Sequence, residues 1–300
     1  MIRVTNYAQM NRSLNNMMEV QARTYATNTQ ISSGQVAQNY AGIAGDSEKT
    51  LNLRSEATRI DNYLSNAKDV DRRLTLIDQS LSAIGDAASS LRTLLMQATT
   101  SGLSDAVPLE QEAQGLLDTV TGALNVSEDG RYLFGGSRTD TKPVIVPVPD
   151  PAVWGDPDAS YYAGDDVALS ARLDDQITMD YGVNADRQGF QQLIGSLKAA
   201  IEAGQIGSTA MAETALTMVN DAIATLADYR AEVGTNQARL DSIISGHEDR
   251  KVTQEEAIAA IEKTDIPSAT VRMSNDQTIL DASYMMVSQI NRMSLADYLK

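Results

Sequence analysis

From Ile60 onward the apolar residues recur at Leu64, Ala67, Val70, Leu74, Ile77, Leu81, Ile84, Ala88, Leu91, Leu95 and Ala98, an alternation of three and four with one irregular step at Val70. That spacing keeps one stripe turned toward a partner, so it predicts a coiled-coil-like helix. Begun near Ser47 and stopped at Ser101-Gly102, the helix would hold about 54 residues and span roughly 80 Å. Pro108 suits a first helical turn, and Glu110 and Glu112 complement its dipole. A second helix is therefore expected to return through Leu109, Ala113, Leu116, Val120 and Ala123 as the other arm of an antiparallel hairpin. Asp129-Gly130 then turns the chain into a short strand, Arg131-Tyr132-Leu133-Phe134, closed by Gly135-Gly136. Further on, a helix runs from Phe190 through Leu197 to Ile201 and is followed by Gly204 and Gly207. A longer seam follows it: Ala222, Leu226, Tyr229, Val233, Asn236, Leu240 and Ile243. Four residues further it meets His247, which reads as a seam or seam-edge residue.

The two ends carry a different pattern. Tyr7, Met10, Leu14 and Met17 keep heptad spacing, but the stripe continues through Gln21, Thr24 and Asn28 before Ile31. Beyond a break expected at Pro267, Ile279, Leu280, Met286, Val287, Ile290 and Met293 form a broader stripe, with Leu295 and Leu299 following. Packing supplies most helical stability, and neither segment has a domain of its own to pack on. Both ends are expected to be mobile in a monomer and ordered among copies or partner chains, with methionine adapting the contacts. Two ordinary peripheral helices docked on the rod are the alternative.

Between the helical halves the chain changes character. Pro143, Pro147, Pro149, Pro151 and Pro157 are five of the seven prolines, and Asp150 to Asp180 holds eight Asp and one base, Arg172. Short Val, Tyr, Ile and Thr runs separated by Gly and Asp make residues 144 to 183 a small β-rich insertion, a knob between helical halves. The expected organisation is an N-terminal coiled-coil assembly segment at 1–42, the two halves of a helical rod at 43–142 and 189–266, a β-rich acidic insertion at 143–188, and a C-terminal coiled-coil segment at 267–300. The fold class is mainly α, a long antiparallel coiled-coil helical rod built from both chain ends.

Composition narrows the chemistry. Aromatic residues are only 5%, so the core is built from aliphatic helices. A formal charge of −16 repels nucleic acid and anionic membrane surfaces. With no cysteine and one histidine, thiolate metal sites, cysteine nucleophiles and most imidazole chemistry are excluded. Asp156, Asp158 and Ser160 are spaced like the start of a calcium loop, but Tyr161 replaces its glycine and Val167 its closing Glu. Paired carboxylates such as Asp165-Asp166 or Asp174-Asp175 point to opposite faces if they lie on a strand. A solvated acidic surface is the better account, with no cofactor, no metal and no catalytic residue expected. The first residues hold no signal-peptide core, and no run approaches 18 apolar residues. The chain is expected either to stay in the cytosol or to leave by a route that reads an uncleaved, unfolded N-terminus.

A set of motifs in chain order resembles one family. Ile31-Ser32-Ser33-Gly34 is similar to the Leu/Met-Ser-Ser/Thr-Gly run near the end of the first helix of bacterial flagellin and its hook-associated relatives. Arg230-Ala231-Glu232-Val233-Gly234-Thr235-Asn236-Gln237-Ala238-Arg239-Leu240-Asp241-Ser242 is similar to the flagellin C-terminal run. Within that family, Gly130-Arg131-Tyr132-Leu133-Phe134-Gly135-Gly136, Thr141-Lys142-Pro143-Val144 and the ending Ser294-Leu295-Ala296-Asp297-Tyr298-Leu299-Lys300 look more like the hook–filament junction subunits than filament flagellin. The match spans residues 1 to 142 and 190 to 300. Gln35 and Val36 depart from the basic residue and Asp-rich loop that usually follow the Ser-Gly.

The resemblance implies a structural, non-enzymatic subunit of the extracellular bacterial flagellum, exported unfolded without a cleaved signal peptide. Its implied partners are flagellin, hook-associated protein 1, copies of itself in a helical ring, and an export chaperone at the C-terminal segment. The assembly residues would be Tyr7, Met10, Leu14, Met17, Ile31, Ile279, Leu280, Met286, Val287, Ile290, Met293, Leu295 and Leu299. Filament flagellin or a flagellin-like variant is a close rival. A soluble coiled-coil adaptor or secretion-tip protein is a rival of another class, and an Asp-based hydrolase or sugar-binding module in the insertion is remote.

Overall fold

The computed structural model describes residues 2–101 and 109–296, and the side chains of 2–7, 9, 101 and 290–296 lie outside that description. Among the described residues six α-helices alternate with two small antiparallel ribbons. In chain order they are α1 (Ile2–Ser33), α2 (Ser47–Ser101), α3 (Leu109–Leu124), β1 (Ser127–Glu128), β2 (Arg131–Tyr132), β3 (Ser170–Arg172), β4 (Thr178–Asp180), α4 (Gln188–Ile206), α5 (Thr209–Glu262) and α6 (Ile266–Ala296). The chain divides into a terminal unit, Met1–Thr58 with Lys251–Lys300, and a central unit, Arg59–Arg250.

The central unit is organised by the α2 seam. Every seam residue from Ile60 to Ala98 is buried, joined by Ala87. α5 lies antiparallel to this helix: Tyr63 stacks on His247 with ring centroids 5.8 Å apart, and Asp78 pairs with Arg230 at 3.3 Å. On α5 the buried stripe is Ala222, Leu226, Val233, Leu240 and His247, with Tyr229 and Ile243 half-buried against the core. His247 therefore occupies the seam position that spacing assigns it.

α3 buries Leu109, Ala113, Leu117, Val120, Thr121 and Leu124, so its stripe turns one residue away from the expected Leu116 and Ala123, which are half-buried. The cause is α4, which packs closely on α3 and which a two-helix pattern does not anticipate. Gly204 lies where a Cβ would meet the Glu110 backbone nitrogen at 2.7 Å, and Gln205 Nε2 donates to Glu110 Oε1 at 2.9 Å. This glycine is thus an interior contact of α4, and the helix ends at Gly207, whose φ of 68° is the left-handed C-terminal cap. The expected first-turn Pro108 and the Gly102 stop lie outside the described residues.

Asp129 and Gly130, both at positive φ, make the tight turn between β1 and β2. Leu133 and Phe134 follow as buried residues, and Phe134 meets Phe190 edge-on at 6.1 Å. In the Pro-rich segment strand content is smaller than its Val, Tyr and Ile composition suggests. It amounts to the β3–β4 hairpin and an isolated Val144–Tyr162 bridge, since prolines withhold ladder donors. Nor does the segment build a core of its own. Val144, Val148, Tyr161, Leu173, Met179, Tyr181, Val183 and Ala185 join one cluster with the helices, so it is a flap on the helical core and not a separate knob. The outer edge of Val144 is closed by a side chain: Asn125 Nδ2 donates to its carbonyl at 3.1 Å and Asn125 Oδ1 accepts from its N–H at 2.9 Å.

In the terminal unit α1 and α6 pack on one another. Gly34, at φ 70°, ends α1, and the chain hooks across α5: Val36 N–H donates to the Glu262 carbonyl at 2.8 Å and Thr264 N–H to the Gly34 carbonyl at 2.9 Å. A 3₁₀ turn at Tyr40–Ile43, capped by Asn39, leads into α2, whose Arg54 grips Glu262 in a two-pronged pair at 2.7 and 3.1 Å. The break expected at Pro267 falls between Glu262 and Ile266: Asp265 caps α6 and Pro267 sits in its first turn.

Candidate assembly surface

α1 and α6 run antiparallel, as two polar contacts show. Gln21 Nε2 donates to Tyr284 Oη at 2.6 Å, and Arg23 meets Asp276 at 3.1 Å. The expectation that neither end has a partner within the chain is corrected here: each is the other's partner. What the pair buries is small. Val20 and Thr27 of α1 and Ala269 of α6 are the buried residues among the described side chains of these helices, because Gln21, Thr24 and Asn28 interrupt the apolar stripe that a full seam needs.

Several large apolar residues of these helices are exposed. Tyr25 is 76% exposed and Met285 73%, with Met18, Val271, Ile279, Tyr284 and Met286 about half exposed or more. Of the residues singled out by spacing, Ile279 and Met286 are on this exposed surface, and Met10, Leu14, Met17, Ile31, Leu280 and Val287 are half-buried along the helix pair. The α1–α6 register sets the Leu14–Met18 stretch beside the Met285–Gln289 stretch, so these two groups share one region of the surface. The side chains of Tyr7, Ile290, Met293 and Leu295, and all of Leu299, lie outside the described residues.

Spacing missed Met18, Tyr25, Val271, Tyr284 and Met285. A signal was present: Met18 and Tyr25 are seven residues apart, Ile279 and Met286 also seven, and Val271 and Met285 fourteen. A helix with apolar residues on two faces carries two interleaved stripes, and the spacing alone picks out only Ile279 and Met286 from the outward one.

Charge separates along the same division. The terminal unit holds 10 Lys and Arg against 11 Asp and Glu, whereas the central unit holds 14 against 29. Nearly the whole formal charge sits on the central unit, and the exposed helix pair can be approached without strong like-charge repulsion. In the central unit several carboxylates are held by hydrogen bonds. Asp165 accepts from Ser137 Oγ, Ser137 N–H and Val167 N–H, and these bonds, the hydroxyl's first, hold its carboxyl below the usual carboxylate range. Asp174 is lowered mainly by the Asp175 N–H, with Arg250 second among the groups that favour its charge. Asp186 moves the other way, raised by burial and by Asp166 and Asp165. Among the described residues no three His, Asp or Glu side chains are placed to hold a metal ion, and no helix is long and apolar enough to cross a membrane.

These helices can now be set beside known proteins. The model of the bacterial flagellin N-terminal helical region matches residues 4–139, and that of the C-terminal helical region matches 216–299. Between them they span nearly three quarters of the chain, in the order and at the ends where flagellin has them. The chain belongs to the bacterial flagellin family.

Within the family, flagellar hook-associated protein 3 of Escherichia coli K12 is 22% identical over 253 residues, covering 75% of this chain and 76% of the relative. The protein of the same name from Salmonella typhimurium LT2 is 21% identical over 98% of both chains. A flagellar hook-associated protein of Vibrio parahaemolyticus superposes with a TM-score of 0.58 at 19% identity, over 74% of this chain and all of that one. FlgL of Bacillus cereus gives 0.57 at 18%, over 69% and 98%. Both share the fold.

The family's motifs have visible structural work. Gly34 supplies the left-handed turn of the Ser-Ser-Gly run. Gly136, at φ 68°, lies so close to the Asp165 backbone and carboxylate that a side chain would collide. Glu232 of the C-terminal run pairs with Arg187, which sits over the Tyr229 ring at 5.2 Å. The stretch between the two family matches, 140–215, includes the Asp- and Pro-rich flap.

Proposed function

We propose that this chain is a structural subunit of the bacterial flagellum that joins hook to filament, acting by helix packing and not by turnover. One observation carries the reading: the two terminal helices pair with each other yet leave Met18, Tyr25, Ile279, Met285 and Met286 in water, in a chain aligned along nearly its whole length with a hook-associated protein 3. Apolar surface of this kind is stabilised when neighbours cover it, at about 25 cal/mol per Å² removed from water.

The assembly residues are Tyr7, Met10, Leu14, Met17, Ile31, Ile279, Leu280, Met286, Val287, Ile290, Met293, Leu295 and Leu299, with the outward set of Met18, Tyr25 and Met285 added. The partners are hook-associated protein 1 on one side, flagellin on the other and copies of the chain beside it, in heterologous contacts that build a ring or tube. Before assembly an export chaperone covers the C-terminal segment, and the subunit leaves the cell unfolded.

Imaging cells that lack the chain tests this. Hooks that assemble while flagellin escapes into the medium support the junction role. Normal filaments on such cells would overturn it, and purified protein that grows long filaments unaided would identify a filament flagellin instead.

A further inference from the structure

The chain has no cysteine, so its softest nucleophiles are thioethers, and these are unevenly placed: eight of the twelve methionines fall in the terminal unit. Met18 of α1 and Met285 and Met286 of α6 are each more than half exposed. These residues meet solvent without any local unfolding. Met179 and Met218 of the central unit are buried, and an oxidant reaches them only when the core opens.

We propose that Met18, Met285 and Met286 are an oxidation site that switches off docking of the free subunit, the oxidant being a peroxide or hypohalous acid. With hydrogen peroxide, a lone pair on Sδ attacks one peroxide oxygen as the S–O bond forms and the O–O bond breaks. The departing hydroxide recovers the proton left on the transferred oxygen, and water is released. Sulfur loses two electrons and the peroxide gains them. The product is a polar, chiral sulfoxide on a face that must be desolvated to be covered, and burying that oxygen without a donor opposes association. Nothing in the helix pair has to break for this to happen, because these three residues are already more than half exposed. Once neighbours cover the face the same sulfurs are shielded, so the switch acts on subunits that have not yet been placed. Methionine sulfoxide reductases reverse it.

This inference rests on the assembly reading above. The test uses the full-length protein and hook-bearing cells that lack it. Protein is treated with dilute hydrogen peroxide, quenched, mapped by mass spectrometry and added to the cells. Sulfoxide is expected at Met18, Met285 and Met286 well before Met179 and Met218, with binding to hooks reduced about tenfold or more, the equivalent of ~1.4 kcal/mol. Incubation with both sulfoxide reductases is expected to restore binding, and peroxide is expected to change the hook binding of the triple variant M18L/M285L/M286L by less than about twofold relative to that variant's own untreated level. M96L serves as control, since Met96 is exposed in the central unit and its replacement leaves the sensitivity in place. Oxidised wild-type protein that binds as well as untreated protein overturns the proposal, as does a triple variant that loses binding as steeply as wild type. Untreated protein that fails to bind hooks at all overturns the assembly reading itself, and this inference with it.

Discussion

The Nε2 atom of His247 lies 2.7 Å from the carbonyl oxygen of Leu173, so the only imidazole in the chain, fully buried in α5, is tied to the backbone entering the β3–β4 turn. A carbonyl only accepts, so Nε2 carries the proton, and Nδ1 is buried with no partner among the described residues. The same turn is clamped from outside: Tyr63 Oη donates to Asp175 at 2.8 Å and Arg250 to Asp174 at 2.9 Å. H247A removes the ring and orphans the Leu173 carbonyl, and is expected to destabilise the central unit by about 2–4 kcal/mol. H247L, which fills more of the space and also deletes the unpaired nitrogen, is expected to cost less than H247A. Urea denaturation followed by fluorescence of Trp154, the single tryptophan, reads both.

The α2 seam makes a second expectation. Leu81 is wholly buried, with seam neighbours Ile77 and Ile84 equally so. L81A is expected to lower stability by about 2–5 kcal/mol, with the spread set by how far neighbouring side chains close the cavity. The same denaturation experiment gives the number, and a value under ~0.5 kcal/mol would mean that Leu81 is not in the seam.

Among the described side chains of α1, Val20 is the one large apolar residue that is buried. V20D places a carboxylate there without a partner, and is expected to abolish amide-exchange protection in residues 10–30 and 270–287 while protection in the central unit is kept. By contrast D276N, which removes the half-exposed pair with Arg23, is expected to change stability by less than about 1 kcal/mol.

Much of this fold was legible because the helical seams are periodic and their partners are helices. The α2 stripe from Ile60 to Ala98 and the seam position of His247 follow from spacing alone, and the helix starts at Ser47 as expected. Where reading failed, contacts between distant segments decided. Leu117 replaces Leu116 in the buried stripe of α3 because α4 packs there. The flap shares the main core because Tyr161 and Leu173 reach it from residues whose local composition shows only strands and turns. The exposed Tyr25 and Met285 were invisible to a search for inward stripes, and the mutual docking of α1 and α6 depends on two segments more than 230 residues apart.

Acid is expected to loosen the central unit. Asp158, Asp165 and Asp174 all have folded pKa values below the ordinary one, through hydrogen bonds to their ionised forms. The stability they contribute is present above the unfolded value, about 3.9, and is lost as pH falls through the lower folded values. Asp186 works in the opposite sense: its raised folded value makes its charge unfavourable at neutral pH, and that penalty is relieved as pH falls through it. D165N is expected to lower the melting temperature at pH 7 and flatten its decline below pH ~4, whereas D186N is expected to stabilise the fold slightly at pH 7, by under about 1 kcal/mol. Calorimetric melts from pH 3 to 7 check both slopes.

For the outward face, I279D is expected to leave monomer stability within about 0.5 kcal/mol of wild type, since Ile279 is nearly half exposed. Binding to hooks is expected to fall sharply. A variant that keeps its melting temperature and its hook binding would remove Ile279 from the assembly face.

The amide of Asn125 fills the place beside Val144 that another strand would take, occupying both backbone groups with one side chain. Open strand edges recruit whatever extended chain drifts past, and crowding makes such encounters frequent. By plugging that socket from within, Asn125 leaves Val144, itself buried, with no unpaired backbone group for a neighbouring segment of the flap to claim.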